Sequence, residues 1–126
     1  MRVLLAALAL FAIAADEPFQ PRPITDAEKA MIRQAVKKKL IDPGSAQFRW
    51  NTRVSHSVVY CGFVNSKNRM GGYVGFTAYE VMVDRQTNSI ALVDLQEDDG
   101  DLYVITKMCG ERGYNLDPSD PTTVDD

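Results

Sequence analysis

Hydrophobic and polar positions along this chain change period more than once, and the changes mark its elements. Residues 3–14, "VLLAALALFAIA", are apolar without a break and follow a single cation, Arg2. Such a run matches a signal-peptide core and falls short of the roughly 20 residues that span a bilayer. Ala12-Ile13-Ala14 places small residues where a signal peptidase needs them, so cleavage is expected after Ala14 or Ala15. No cysteine stands near that junction, which argues against a lipid anchor. "DEPFQPRP" follows at once and carries no helix through its prolines. The expected product is exported, periplasmic or secreted, with no transmembrane segment after processing.

The next segment, "TDAEKAMIRQAVKKKLI", has helical period. Thr25 and Glu28 form a capping-box pair, and Ile32, Val36 and Leu40 recur at i, i+4 and i+8 with Met31 and Ala35 beside them. Lys37, Lys38 and Lys39 suit the negative end of the helix dipole, and Asp42-Pro43-Gly44 stops the helix. The lysine triplet is therefore explained by helix energetics before any anionic partner is invoked. After "DPGSAQF" the period becomes alternating. Phe48, Trp50, Thr52 and Val54 are expected to point one way, with Arg49, Asn51 and Arg53 pointing the other. "SVVYCGFVN", "YVGFTAYEVMVDR" and "QTNSIALVDL" read as three further strands, the last two joined by a turn in which Asn88 adopts a left-handed conformation. "LYVITKMCG" fits either a strand, by its Tyr-Val-Ile-Thr, or a short helix, by Leu102, Ile105 and Cys109 before Gly110. The predicted fold class is α+β: one N-terminal helix packed on an antiparallel sheet of about four strands. The predicted organisation is a signal peptide over 1–15, an extended proline-containing leader over 16–24, one domain over 25–114 and an acidic disordered tail over 115–126.

Cysteine count and charge refine this picture. Cys61 and Cys109 are the only cysteines, so in an exported chain they are expected to form one disulfide. The loop that bond closes is 48 residues long, and chain entropy credits its closure with about 4 kcal/mol. A zinc or redox pair is the rival, but neither CxxC nor a histidine cluster supports it. The net charge is −3, falling to −4 when Arg2 is removed with residues 1–15. It is unevenly spread. Between residues 29 and 69 there are nine Lys or Arg against Asp42 alone, whereas residues 86–126 hold ten acids against Lys107 and Arg112. Such a split marks either a basic binding face or two halves that neutralise each other across the fold.

The segment "YCGFVNSKNRMGGYVGF" carries the candidate chemistry. Asn65, Ser66, Lys67, Asn68 and Arg69 form a polar stretch between apolar strands, Gly71-Gly72 permits a positive-φ turn, and Gly75 suggests close backbone approach within the next strand. A wide hairpin accounts for all of this structurally. The functional reading makes Asn65, Lys67, Asn68, Arg69 and Tyr73 a ligand-binding tip for a protein or an envelope glycan. There is no phosphate-loop signature before a helix, no motif for nucleic acid, and no cofactor or metal is expected. "DPGSAQF", followed by "CGFVNSKNRMGGYVGF", resembles a pattern in an uncharacterised family of small exported bacterial proteins, some of them phage-carried. Its form is DPxSAxF, then CGxVNxKNxxGGYxGF, with a late cysteine. The resemblance covers about residues 25–109, although "ITKMCG" departs from the more helical sequence expected there. It implies export, an α+β domain and pairing of Cys61 with Cys109, and it transfers no activity.

Catalysis finds little support. The single histidine, His56, sits at an expected turn beside Ser55 and Ser57, where a solvated imidazole is the ordinary reading. Glu97, Asp98, Asp99 and Asp101 read as a solvated turn. A calcium loop aligned on Gly100 would put Leu95 at the first ligand position and Thr106 at the last. The expected function is a small, exported, non-catalytic binding module, an inhibitor or an adaptor. One alternative is a structural accessory of a cell-envelope assembly that pairs a sheet edge with a partner strand. A second is a small hydrolase using the acidic turn.

Overall fold

The capping chemistry at Thr25 forms as the sequence predicts and starts the first helix. A computed structural model of the chain describes residues 21–55, 58–84, 86–96 and 99–126, the side chains of 99–102 excepted. Thr25 Oγ1 accepts from the Glu28 N–H at 3.2 Å, and Glu28 Oε2 accepts from the Thr25 N–H at 2.9 Å. Helix α1 follows over Asp26–Lys37. It buries Ile32 and Val36, with Leu40 partly buried just beyond its end. Glu28 has a second task, because Arg22 binds its carboxylate with both terminal nitrogens. That ion pair ties the helix start to strand β1 (Arg22–Pro23), the described end of the expected leader.

Strands β2 (Gln47–Asn51), β3 (Arg53–Val54), β4 (Val59–Asn65), β5 (Thr77–Asp84), β6 (Ser89–Leu95) and β7 (Thr123–Asp125) follow, with helix α2 (Asp99–Glu111) before the last. Five of them form one antiparallel sheet in the order β6-β5-β4-β2-β7, while β1 and β3 form a separate pair. The α+β class and the Cys61–Cys109 disulfide are as expected. The details differ: the described residues form two helices rather than one, and five strands rather than four in the main sheet. The ambiguous segment 102–109 is helical and lies within α2.

Strand register assigns the two helices to opposite faces. Tyr60 pairs with Val81, Gly62 with Tyr79, and Val64 with Phe48, so these side chains share a face. Cys61, Phe63, Ala78, Glu80 and Arg49 occupy the other. Arg33 of α1 lies over the rings of Phe48 and Trp50, at 5.8 and 5.4 Å, so α1 covers the first face. The bond from Cys61 to Cys109 holds α2 on the second. The sheet is the middle layer of three. Its α1 side is aromatic, with Phe48 stacked on Trp50 at 5.3 Å and Tyr79 edge-on to Phe48 at 6.2 Å. Tyr79 can lie there only because Gly62 has no side chain. A Cβ on Gly62 would stand 2.5 Å from the Tyr79 hydroxyl oxygen.

Three further expectations need correction. Alternation breaks at Thr52, which is exposed, while Asn51 is buried. Asn51 Nδ2 donates to the Cys61 carbonyl at 2.9 Å and the Asn115 carbonyl at 3.2 Å, so hydrogen bonding outweighs polarity there. Residues 73–76, expected to open the third long strand, belong instead to the loop before β5, which begins at Thr77. The tail over 115–126 is ordered rather than disordered. Its strand β7 pairs with β2, Asp125 binds Arg49 at 2.7 Å, and Asp126 binds Arg33 and accepts from Trp50 Nε1 at 2.8 Å. The basic and acidic halves thus meet, in part, across the sheet edge. Asn88 has φ +50°, the left-handed turn the sequence predicts. No described helix is long and apolar enough to cross a membrane.

Candidate functional site

The loop between β4 and β5 is held by its own polar side chains. Asn68 Oδ1 accepts from the N–H groups of Met70 and Gly72, at 3.0 and 3.1 Å. The Asn68 N–H donates to the Gly72 carbonyl at 2.9 Å, and the Gly71 N–H donates to the Asn68 carbonyl at 3.0 Å. Gly71 has φ +81°, a value that a β-branched residue adopts only at a cost. Lys67 and Tyr73 then face each other in an isolated antiparallel bridge, with the Lys67 ammonium 5.5 Å from the Tyr73 ring centre. Asn65 closes the base: its Oδ1 accepts from the Gly75 N–H at 3.0 Å, and its Nδ2 donates to Gln47 Oε1 at 3.3 Å. Gly75 is not the site of close approach expected of it. Among the described residues, none beyond its chain neighbours lies within 4 Å of where its Cβ would be, and its φ of +97° is what requires glycine.

Ser45 anchors this loop to the rest of the molecule. It lies in the 3₁₀ turn Pro43–Ser45 that follows α1. Its Oγ accepts from the Lys67 N–H at 2.8 Å, and its carbonyl accepts from the Tyr73 hydroxyl at 3.0 Å. The two distant stretches "DPGSAQF" and "NSKNRMGGY" therefore form one unit. Sequence reasoning missed Ser45 as a loop residue; a serine after Pro-Gly gave only a turn signal.

Of the five predicted ligand-binding residues, three are occupied within the loop. Asn65 spends its amide on the Gly75 N–H and on Gln47, Asn68 spends its Oδ1 on two backbone N–H groups, and Tyr73 spends its hydroxyl on Ser45, with its ring half-exposed. The Lys67 ammonium lies against Tyr73, and Arg69 is exposed at the tip. Beside Arg69, Met70 is 92% exposed and Val74 60% exposed. The outward chemistry is thus mainly cationic and apolar, with exposed Asn68 as its amide. At the loop's base the Arg49 guanidinium stacks 4.5 Å from the Phe76 ring centre, on the wall of an open groove of about 420 Å³.

The remaining candidates fall elsewhere. His56, Ser57, Glu97 and Asp98 lie outside the described residues, and the side chains of Asp99 and Asp101 are not described. Among the described residues no group of three His, Cys, Asp or Glu could hold a metal ion. One buried acid had no signal beyond strand alternation. Glu80 is 2% exposed on the α2 face, and its Oε2 has no hydrogen-bond partner among the described residues. Burial pushes its carboxyl above the usual glutamate range and nearby Asp94 adds to the rise, while Arg112 opposes it. Comparison with known proteins finds no matching family model, no matching curated protein and no matching solved structure.

Proposed function

We propose that this chain is a small exported binding module, without catalysis of its own, that presents the loop over residues 66–76 to a protein or an envelope glycan. One observation carries the reading: the backbone N–H groups of Asn68, Met70, Gly71, Gly72 and Val74 are bonded within the loop while the side chains of Arg69, Met70 and Val74 face solvent. A loop ordered before binding loses little conformational entropy when it docks. An apolar side chain left at a wired tip, beside a cation, has no role in the core. The signal-peptide pattern of residues 1–15 supports export, and the disulfide suits an oxidising compartment.

The test is affinity capture from envelope extract with the processed chain as bait. Arg69→Ala, Met70→Ala and Val74→Ala together should abolish capture and leave the thermal midpoint unchanged, because none of the three side chains contributes to the scaffold. Full capture by the folded triple variant would sink the reading. N-terminal sequencing of the protein from an exporting host should begin at Ala15 or Asp16, and an intact Met1 would remove the export claim. The second reading, an accessory that pairs a sheet edge with a partner strand, gains from one feature. Strand β6 forms an outer edge of the main sheet.

A further inference from the structure

Among the described residues, strand β6 is bonded on one side only. Its seven residues, Ser89–Leu95, end the sheet order, with β5 as the single neighbour. Natural edges are usually blunted by lysine, proline or bulges. Here Asp94 is the one charge within the strand, and neither lysine nor proline occurs in it. A bulge does occur, since Met82 pairs with Leu92 but Val83 pairs with Ile90, leaving Ala91 extra. The bulge spares the half beyond it. Residues 92–95 keep regular register with β5.

The ladder also dictates which backbone groups turn away from β5. The Gln96 N–H donates to the Ala78 carbonyl at 3.0 Å, which makes that pair a bonded one. Bonded and non-bonded pairs alternate in an antiparallel ladder. The bonded pairs are then Glu80 with Asp94 and Met82 with Leu92, so Val93 and Leu95 direct their N–H and C=O groups away from β5. Along this edge runs a groove of about 270 Å³ between the end of α1 and β6, lined by Ala35, Lys38 and Lys39 and by Ile90 to Val93 of the strand. Leu92 is 43% exposed, and its pairing with Met82 puts it on the α2 face. Lys38 and Lys39 are exposed and have no ion-pair partner among the described residues.

We infer that the β6 edge is a strand-addition site for an extended protein segment that alternates apolar and acidic side chains. Backbone groups of Val93 and Leu95 turned away from β5 supply the register, the exposed Leu92 on the α2 face meets the alternate apolar side chains, and the two lysines select acids on the α1 side. A second copy of this chain is the poorer occupant. Antiparallel pairing of two β6 edges about a twofold axis perpendicular to the sheet keeps both α1 helices on one side, bringing two lysine pairs toward each other. The loop over 66–76 has no part in this inference, so the two proposals fail independently.

The test uses the full disulfide-bonded chain at low salt and three fluorescent, end-blocked heptapeptides, read by anisotropy. One alternates valine and glutamate, one alternates valine and lysine, and the third repeats the first with alternate backbone nitrogens methylated. The Val/Glu peptide should bind about tenfold more tightly than Val/Lys, as two exposed ion pairs would give. The chain carries a net charge of −3, so without a local basic site it would favour the lysine peptide. The Lys38→Glu/Lys39→Glu variant should reverse the preference, and methylation should abolish binding without any change to the protein. Equal binding of the methylated peptide would overturn strand addition. A preference unmoved by the lysine variant, or self-association that Val93→Pro abolishes, would overturn the partner assigned here.

Discussion

Asn68 shows how a polar side chain can be spent on its own loop. Its Oδ1 accepts two backbone N–H groups, so Asn68→Ala leaves the amides of Met70 and Gly72 to water. Because the loop is exposed, the loss should be local, about 1 kcal/mol. It is expected to appear as faster hydrogen exchange at Met70 and Gly72 with little change in thermal midpoint; protection retained at both amides would contradict it. Gly71→Val tests the same loop through its backbone. Nothing lies within 4 Å of the added Cβ, so the cost is the positive φ alone, about 1–2 kcal/mol. Gly71→Ala should therefore already lower stability, and Gly71→Val should lower it further because its branched Cβ crowds its own backbone at positive φ; an alanine variant as stable as the parent would contradict this. Glu80 makes a prediction of opposite sign to most carboxylates. Its folded-state pKa is raised, so the native state holds the proton more tightly than the unfolded chain. That contribution is fully present below the ordinary glutamate value and is lost as pH rises through the raised one. Glu80→Gln should accordingly raise the thermal midpoint at pH 7 and change it little at pH 4. An equal effect at both values would mean that the charge is not the cause. At this scale the sequence was legible where a residue's role is local, as at Thr25, Glu28, Gly71 and Asn88. It was illegible at Asn65, Asn68 and Tyr73, because an amide or a hydroxyl that can greet a ligand can equally bind its own backbone. Ser45 and Glu80 acquire their roles only from strands distant in sequence.

Helix α1 was readable because its apolar stripe, its cap and its stop signal agree. Helix α2 lacked that agreement. Tyr103 and Val104 favour a strand by propensity, and both are exposed on the helix that forms. What decides is the burial of Ile105 and Cys109 four residues apart, on the face turned to the sheet. Strand β7 was hidden for a different reason: the tail has little apolar content, and its anchors lie far back in the chain. Arg33, Arg49 and Trp50 hold Asp125 and Asp126, so charge and one indole N–H do what burial does elsewhere. These contacts make docking of β7 dependent on pH. For Asp126, burial alone would push the carboxyl up, but Arg33, Trp50 and Lys29 together hold it below the usual range. For Asp125, the bond to Arg49 lowers it. Both stabilising contributions are full above the ordinary aspartate value and are lost as pH falls through the depressed folded values. Trp50, fully buried under this edge, is the reporter. Its emission should stay constant on acidification to the ordinary carboxylate range and shift red only below it. Asp126→Asn should move that red shift to higher pH. A shift already complete near pH 5 in the unaltered chain would show that these carboxylates do not hold the strand.

At the scale of the molecule, one sheet carries a helix on each face, and the two helices are attached differently. Helix α1 enters through a capping box, an ion pair to β1 and two buried aliphatic side chains, all close in sequence. The sequence around the start of helix α2 is rich in acids, and its described inward side chains include Ile105 and Cys109. Its layer also covers Glu80, the acid whose burial is unfavourable, so packing there is offset by a desolvated carboxyl. The disulfide is what closes this layer, and both its cysteines are almost fully buried. Two consequences follow. Reductant should reach the bond only when α2 opens, so reduction under native conditions should be slow and should accelerate steeply in mild denaturant. Cys61→Ala with Cys109→Ala should remove the closure of a 48-residue loop, which the chain-entropy model places at about 4 kcal/mol, much of a small domain's total stability. For a chain of this size that corresponds to a fall in thermal midpoint on the order of 20 °C. The loss should be uneven, with amides of α2 exchanging first while those of β4 and β5 stay protected longest. A double variant that melts within a few degrees of the parent, with α2 still protected, would show that packing of Ile105 and its neighbours holds the second layer without the bond.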